Sequence, residues 1–315
     1  MKFIYSMILL VLLYSCSERS KNTNPVNSNE PYYTEISGQL NGVLSVSNSP
    51  YLVTDEIVVD SSEILRIDPG VTIHFTDSSN LLIRGGLIAV GTKDEVIIFS
   101  AQNNSWKGIE FSYAEQSSII QFAIIEKVVL SYEDSTEFGA IQSNNSNITV
   151  KNCIIRENEA ANGAGITALE SDVLISNNIF RENYVLVHGA GLLIFQSNSI
   201  VTNNTFYNNY SVNCGAAVSI LAPVNDTIQN NIFYKNLSQG ICQQFYYSIQ
   251  DSSNYTILYN FDSMNDPDPK FINTEELRLA SNSPCVNNGN PDQYYNDTNG
   301  TRNDQGAYGG PDGDW

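Results

Sequence analysis

Short runs of β-branched and aromatic residues, each bounded by Asn, Ser or Gly, fill most of the chain, as in Asn147-Ile148-Thr149-Val150 and Ser199-Ile200-Val201-Thr202. Apolar and polar positions alternate within them, which is the two-residue period of a strand with one buried face. No stretch keeps the 3.6-residue period of a long amphipathic helix. The pattern predicts many short strands and no substantial helix.

These runs recur. Lys151-Asn152-Cys153-Ile154-Ile155-Arg156-Glu157-Asn158 returns from Ser176 to Asn183, from Thr202 to Asn209 and from Gln229 to Asn236, so the starts at 151, 176, 202 and 229 are separated by 25, 26 and 27 residues. A second marker keeps step with the first: Gly163-Ala164-Gly165, Gly189-Ala190-Gly191, Gly215-Ala216-Ala217 and Gly240. One such unit cannot close a core. Stacked copies put Val150, Ile175, Val201 and Ile228 in one apolar column and Ile155, Phe180, Phe206 and Phe233 in another. Asparagines align at 158, 183, 209 and 236, and again at 152, 177, 203 and 230. Asn tolerates left-handed backbone, and its amide can bond the equivalent amide one coil away, so both columns suit turns.

A propeller blade needs a longer repeat, and a leucine-rich repeat needs its leucine spacing and a helical segment. The pattern therefore predicts an all-β fold: a single-stranded right-handed parallel β-helix of coils of about 24–30 residues, roughly eight to ten of them, closed by a C-terminal cap segment. The expected organisation is a signal at 1–15, a tether at 16–31, the β-helix at 32–265 and the cap at 266–315.

Composition narrows the partners. Hydrophobic residues make up 42% and charged residues 16%, enough apolar content for a packed core. A formal charge of −19, from 34 acidic and 15 basic residues, repels nucleic acid and anionic surfaces. No nucleic-acid partner is expected, and a monomer is.

At the start, Met1-Lys2 precedes an apolar stretch from Phe3 to Leu13 and then Leu13-Tyr14-Ser15-Cys16. This resembles a bacterial lipoprotein signal, which implies export and a lipid on Cys16, with the membrane reached through that anchor alone. Cys153, Cys214, Cys242 and Cys285 form no zinc-spaced set and are expected as buried thiols, a Cys242 to Cys285 bridge being the alternative.

Several further segments resemble bacterial right-handed parallel β-helix repeat proteins of the pectin-lyase-like group. They are Ile64-Leu65-Arg66-Ile67-Asp68-Pro69-Gly70-Val71-Thr72-Ile73-His74-Phe75, Leu87 to Thr92, Trp106-Lys107-Gly108-Ile109, Asp268-Pro269-Lys270-Phe271, Ser283 to Gly289 and Asp304 to Pro311. That group hosts lyases, hydrolases, epimerases and adhesins, so the resemblance implies the fold and leaves the activity open.

The chemistry-bearing row is Arg156, Arg181, Tyr207 and Tyr234. Facing outward at the coil spacing of about 4.8 Å, it would offer guanidinium forks and phenol rings to an extended polysaccharide. The plainer account pairs Arg156 and Arg181 with Glu157 and Glu182 on a solvated face. As catalytic candidates, Arg156, Arg181, Glu157, Glu182 and His188 would serve a polysaccharide lyase or glycoside hydrolase; His74 is expected to be structural. The segment Asp297 to Asp304 makes calcium the one candidate ion, and no other cofactor is expected. The leading expectation is a non-catalytic, lipid-anchored carbohydrate binder. The alternatives are a lyase or hydrolase and an adhesin or structural surface protein.

Overall fold

The computed structural model describes residues 32–132, 139–240, 245–247, 254–263 and 268–315, with backbone alone at 246 and 247. Cys16, the proposed signal and tether, the loop from 133 to 138 and Cys242 lie outside the described residues. The short runs form strands, and each strand pairs in parallel with its equivalents in the coils before and after. Helix among the described residues is confined to 3-10 turns, Val46–Asn48 and Gln293–Tyr295 among them. The chain is an all-β, right-handed parallel β-solenoid of about 8 turns.

One coil shows the plan. Ile141–Asn144 belongs to ladder one, Asn147–Lys151 to ladder two and Ile154–Arg156 to ladder three, followed by the two-residue strand Glu159–Ala160. The predicted columns are in register: Val150 pairs with Ile175, Ile175 with Val201 and Val201 with Ile228. Ile155, Phe180, Phe206 and Phe233 follow suit on ladder three, and the Phe180 and Phe206 rings stack at 4.6 Å. All of these side chains are buried. Burial of each contributes on the order of 1.5–3 kcal/mol, which offsets the ordering of its coil.

The corners follow one rule: a residue in left-handed backbone turns the chain, and the next residue points its polar group inward. Between ladders one and two, Asn145, Glu170 and Gln196 take the left-handed position, with Ser146, Ser171 and Ser197 buried after them. Between two and three it is Asn152, Asn177, Asn203 and Asn230, followed by Cys153, Asn178, Asn204 and Asn231. After ladder three it is Glu157, Glu182, Asn208 and Lys235, followed by Asn158, Asn183, Asn209 and Asn236.

The inward asparagines saturate one another. The Asn183 Oδ1 accepts from the Asn158 backbone N–H at 3.2 Å and from the Asn158 Nδ2 at 3.0 Å. Its own Nδ2 donates to the Ile155 carbonyl at 3.0 Å and to the Asn209 Oδ1 at 2.9 Å. The same pattern links Asn178, Asn204, Asn231 and Asn260. Buried amides are tolerated here because each donor and acceptor has a partner. The two properties expected of each Asn column are thus divided: left-handed backbone falls to 152, 177, 203 and 230, and amide stacking to the residues after them and to the 158 column.

The glycine marker covers ladder one. At Gly163, with φ of +57°, an added Cβ would sit 1.8 Å from the Thr167 Oγ1. The turn thus lies directly on the outward side chains of ladder one, and Thr167, Leu193 and Ser219 are buried beneath such turns.

The segment expected as the cap packs against the solenoid. Residues 268–315 run as a strap along its flank, over the corner between ladders two and three. The Nδ2 of Asn152 donates to the Asp312 carbonyl at 2.9 Å, that of Asn177 to the Gly309 carbonyl at 2.7 Å and that of Asn203 to the Asp304 carbonyl at 2.9 Å. Asn290 donates its backbone N–H to the Asn230 Oδ1 at 2.8 Å. The outward amides of that corner are the strap's docking groups. Residues Tyr33–Trp315 form one compact unit.

Cysteine chemistry departs from expectation in part. Cys153 and Cys285 are buried thiols, whereas Cys214 is disulfide-bonded. The Cys242 to Cys285 bridge is therefore not formed; Cys285, itself in the strap, packs with Ile232 and Phe261. Burial pushes the Cys153 thiol up to about 12, leaving it inert.

Candidate functional site

Alternation along ladder three places one polar column outside. In register it reads Leu52, His74, Ser100, Glu126, Arg156, Arg181, Tyr207 and Tyr234. The predicted row is its second half. The first half escaped the sequence reading because the earlier coils lack the Asn markers that set the register; the signal available was strand alternation alone.

Within this column the charges are already committed. The Arg156 Nη2 lies 2.6 Å and its Nε 2.7 Å from the Glu126 Oε2, while Ser100 donates to the Glu126 Oε1 at 2.9 Å. Burial pushes the Glu126 carboxyl up, but the hydrogen bonds from Arg156 and Ser100 and the Arg156 charge outweigh it, so the carboxyl titrates below its usual range. A carboxylate held ionised in this way is a poor proton donor. Arg156 is 3.9 Å from Glu157 and Arg181 is 3.9 Å from Glu182, so the expected pairs are secondary contacts.

The strap occupies the second half. The Arg181 Nη1 donates to the Glu275 carbonyl at 3.0 Å, and Tyr207 packs with Ile179, Leu277 and Ala307. Tyr207 is 8% exposed. Phe271 meets both Tyr207 and Tyr234 edge-on, and Lys235 sits 5.1 Å from the Tyr234 ring centroid. The two phenol rings also stack on each other at 6.0 Å along the solenoid axis. Of the row expected to be an open polysaccharide strip, the strap touches Arg181, Tyr207 and Tyr234.

The remaining candidates lie at corners and in the early coils. Glu157 and Glu182 occupy left-handed corner positions and are exposed. His188 pairs through its backbone with Cys214, and burial lowers its pKa, favouring the neutral imidazole. His74 meets the Tyr33 ring at 5.4 Å edge-on.

In the segment suggested for calcium, the Asp297 Oδ1 accepts the Asp304 N–H at 3.0 Å and the Gly310 N–H at 2.6 Å, and the Asp304 Oδ1 accepts the Asn287 N–H at 2.6 Å. These oxygens fold the strap. Among the described residues no group of three or more His, Cys, Asp or Glu is placed to hold a metal ion.

Ladder two is different: its outer face is uncovered. The outward row Thr149, Leu174, Ile200, Thr227 and Thr256 is in register, with Leu174 36% and Ile200 48% exposed. A shallow groove of about 240 Å³ is lined by Thr149, Leu174 and Ile200 together with Asn147, Asp172 and Asn198. A second groove of about 240 Å³, toward the ladder-one corner, shares Asn147, Asp172 and Asn198 and adds Glu170 and Gln196. Sequence reasoning passed over this face because the stretch from Thr149 to Thr256 of its outward row carries neither Arg nor aromatic rings. Its signal was outward apolar residues, Leu174 and Ile200, in a strand pattern that should place polar ones there.

Comparison with known proteins gives one family and one partial relative. The family described as "Right handed beta helix region" matches residues 32–261. Protein bark beetle of Drosophila melanogaster is 38% identical over 88 residues, 27% of this chain and 3% of that protein. The matched stretch is thus a small part of that curated relative. No solved structure matches the chain.

Proposed function

The chain belongs to the right-handed β-helix family, and from that premise we propose that it is an exported, lipid-anchored scaffold that binds carbohydrate without cleaving it. The observation that carries this reading is the contrast between its outer faces in the repeat region. Turns cover ladder one, the strap covers much of ladder three, and ladder two stays open along the axis. A rigid, periodic open face suits an extended polymer better than an enclosed small molecule. The committed charges of Glu126, Arg156 and Arg181 weigh against a lyase or hydrolase on ladder three.

Export is supported by the disulfide at Cys214, which persists in an oxidising compartment. Cys16 would carry the lipid. Labelled palmitate should enter the wild type and not Cys16→Ser; equal labelling would overturn the anchor.

The binding reading is tested by titrating the purified protein into a panel of neutral, uronic-acid and sulfated glycans. Retention of at least one class, with no new reducing ends and no rise in unsaturated-uronate absorbance, is expected. Absence of binding across the panel would leave the adhesin or spacer alternative, and product formation would leave the enzyme.

A further inference from the structure

We infer that the ligand of this scaffold is an uncharged, extended glycan chain lying along ladder two, with its sugar faces on Leu174 and Ile200 and its hydroxyls on Asn147, Asp172 and Asn198. The inference rests on the carbohydrate-binding reading above and assigns it a site and a chemical class.

Geometry gives the direction of the chain. Thr149, Leu174 and Ile200 present one side chain per coil, in register, at the coil spacing of about 4.8 Å. Asn147, Asp172 and Asn198 present a parallel polar row at the same spacing. A polymer with a regular repeat meets the same pair of groups, one apolar and one polar, at each coil only if it runs along the solenoid axis. The groove, about 240 Å³ and open, is smaller than the enclosed cavities that hold small ligands, of about 300–1,000 Å³. It is suited to a short stretch of one chain with both ends continuing beyond it.

Charge gives the class. No Lys or Arg lines either groove, and Asp172 and Glu170 are the ionised groups present. Arg156 and Arg181, the cations that would read a uronate or sulfate, are held on ladder three by Glu126 and by the strap. A polyanion would meet two carboxylates and a protein of formal charge −19. A neutral sugar avoids that repulsion, places its C–H face on Leu174 and Ile200, and gives its hydroxyls to amides that both donate and accept.

The polar row is available. Asn147, Asp172 and Asn198 are exposed, and among the described residues their side chains take part in one hydrogen bond, from the Asn225 Nδ2 to the Asn198 Oδ1 at 3.2 Å.

The test uses the whole protein with soluble probes: cellohexaose and xylohexaose as neutral chains, and oligogalacturonate and a chondroitin sulfate oligomer as polyanions. Calorimetry should show binding to a neutral chain, little changed between 50 mM and 500 mM salt. Leu174→Asp and Ile200→Asp should each weaken it at least tenfold. Backbone hydrogen exchange on the wild type should slow at 172–174 and 198–200 on adding the bound chain, and this arm needs no variant to fold. Binding confined to the polyanions would overturn the neutral class. Neutral binding unmoved by both variants, with protection elsewhere, would overturn the site and leave the carbohydrate reading standing. Binding to no glycan in this set or in the wider panel would remove both.

Discussion

At the residue scale, the corners decide stability. The Asn204 amide takes up the Asn178 backbone N–H at 2.9 Å and its Nδ2 at 3.0 Å, and donates to the Ile175 carbonyl at 2.9 Å and to the Asn231 Oδ1 at 3.0 Å. Asn204→Ala strands several buried groups at once, each costing about 1–3 kcal/mol. The urea midpoint should fall with the slope unchanged, whereas Asn225→Ala, at the exposed edge, should move it by no more than about 0.5 kcal/mol. Glu126 and Arg156 set a pH dependence whose direction is fixed. The folded-state pKa of Glu126 lies below its ordinary value, so the folded protein releases that proton more readily than the unfolded chain. This contribution is complete above about 4.5 and is lost as pH falls through the lowered folded value. Thermal unfolding of Arg156→Met should show a lower midpoint at neutral pH and a smaller difference from wild type in acid. An undiminished difference at low pH would show that Arg156 acts by packing alone.

At the scale of elements, the strap is the part least determined by local sequence. Leu277 is 1% exposed, set against Ile179, Tyr207 and Ala307. Leu277→Ala should destabilise the strap by about 2–4 kcal/mol. Hydrogen exchange should accelerate over 270–285 while the strands of ladder two keep their protection. The repeat, its columns and its strands were legible in the sequence because each is a local pattern copied at a nearly constant step. The dipeptides Asn177-Asn178, Asn203-Asn204 and Asn230-Asn231 were legible only in part. The first Asn turns the chain outward and the second points into the core, a division set by one step of alternation that composition does not display. The fate of the Arg and Tyr row was not legible. It depends on contacts such as Asn203 to Asn303, 100 residues apart, which no local period encodes. The apolar surface of ladder two, by contrast, could have been found by asking which outward positions break the polar rule.

At the scale of the molecule, each coil touches mainly its neighbours, so stability accumulates coil by coil. An extra copy of residues 177–202, inserted after Thr202, brings its own corner asparagines and its own core residues. Three such copies should leave the circular dichroism spectrum strand-like and lengthen the particle by about 14 Å in small-angle scattering, three coil spacings of about 4.8 Å. Aggregation of that variant would show that the coils are not interchangeable.

Synthesis order gives the strap a role in time. Its partners, Asn152, Asn177, Asn203 and Asn230, are scattered through the chain and become neighbours only when the coils between them have stacked correctly. A skipped or slipped coil would present the wrong spacing, and the latecomer would find no matching row of amides. On a variant lacking one coil the strap should therefore be cut by proteases under conditions that leave it intact on the wild type, and limited proteolysis checks this.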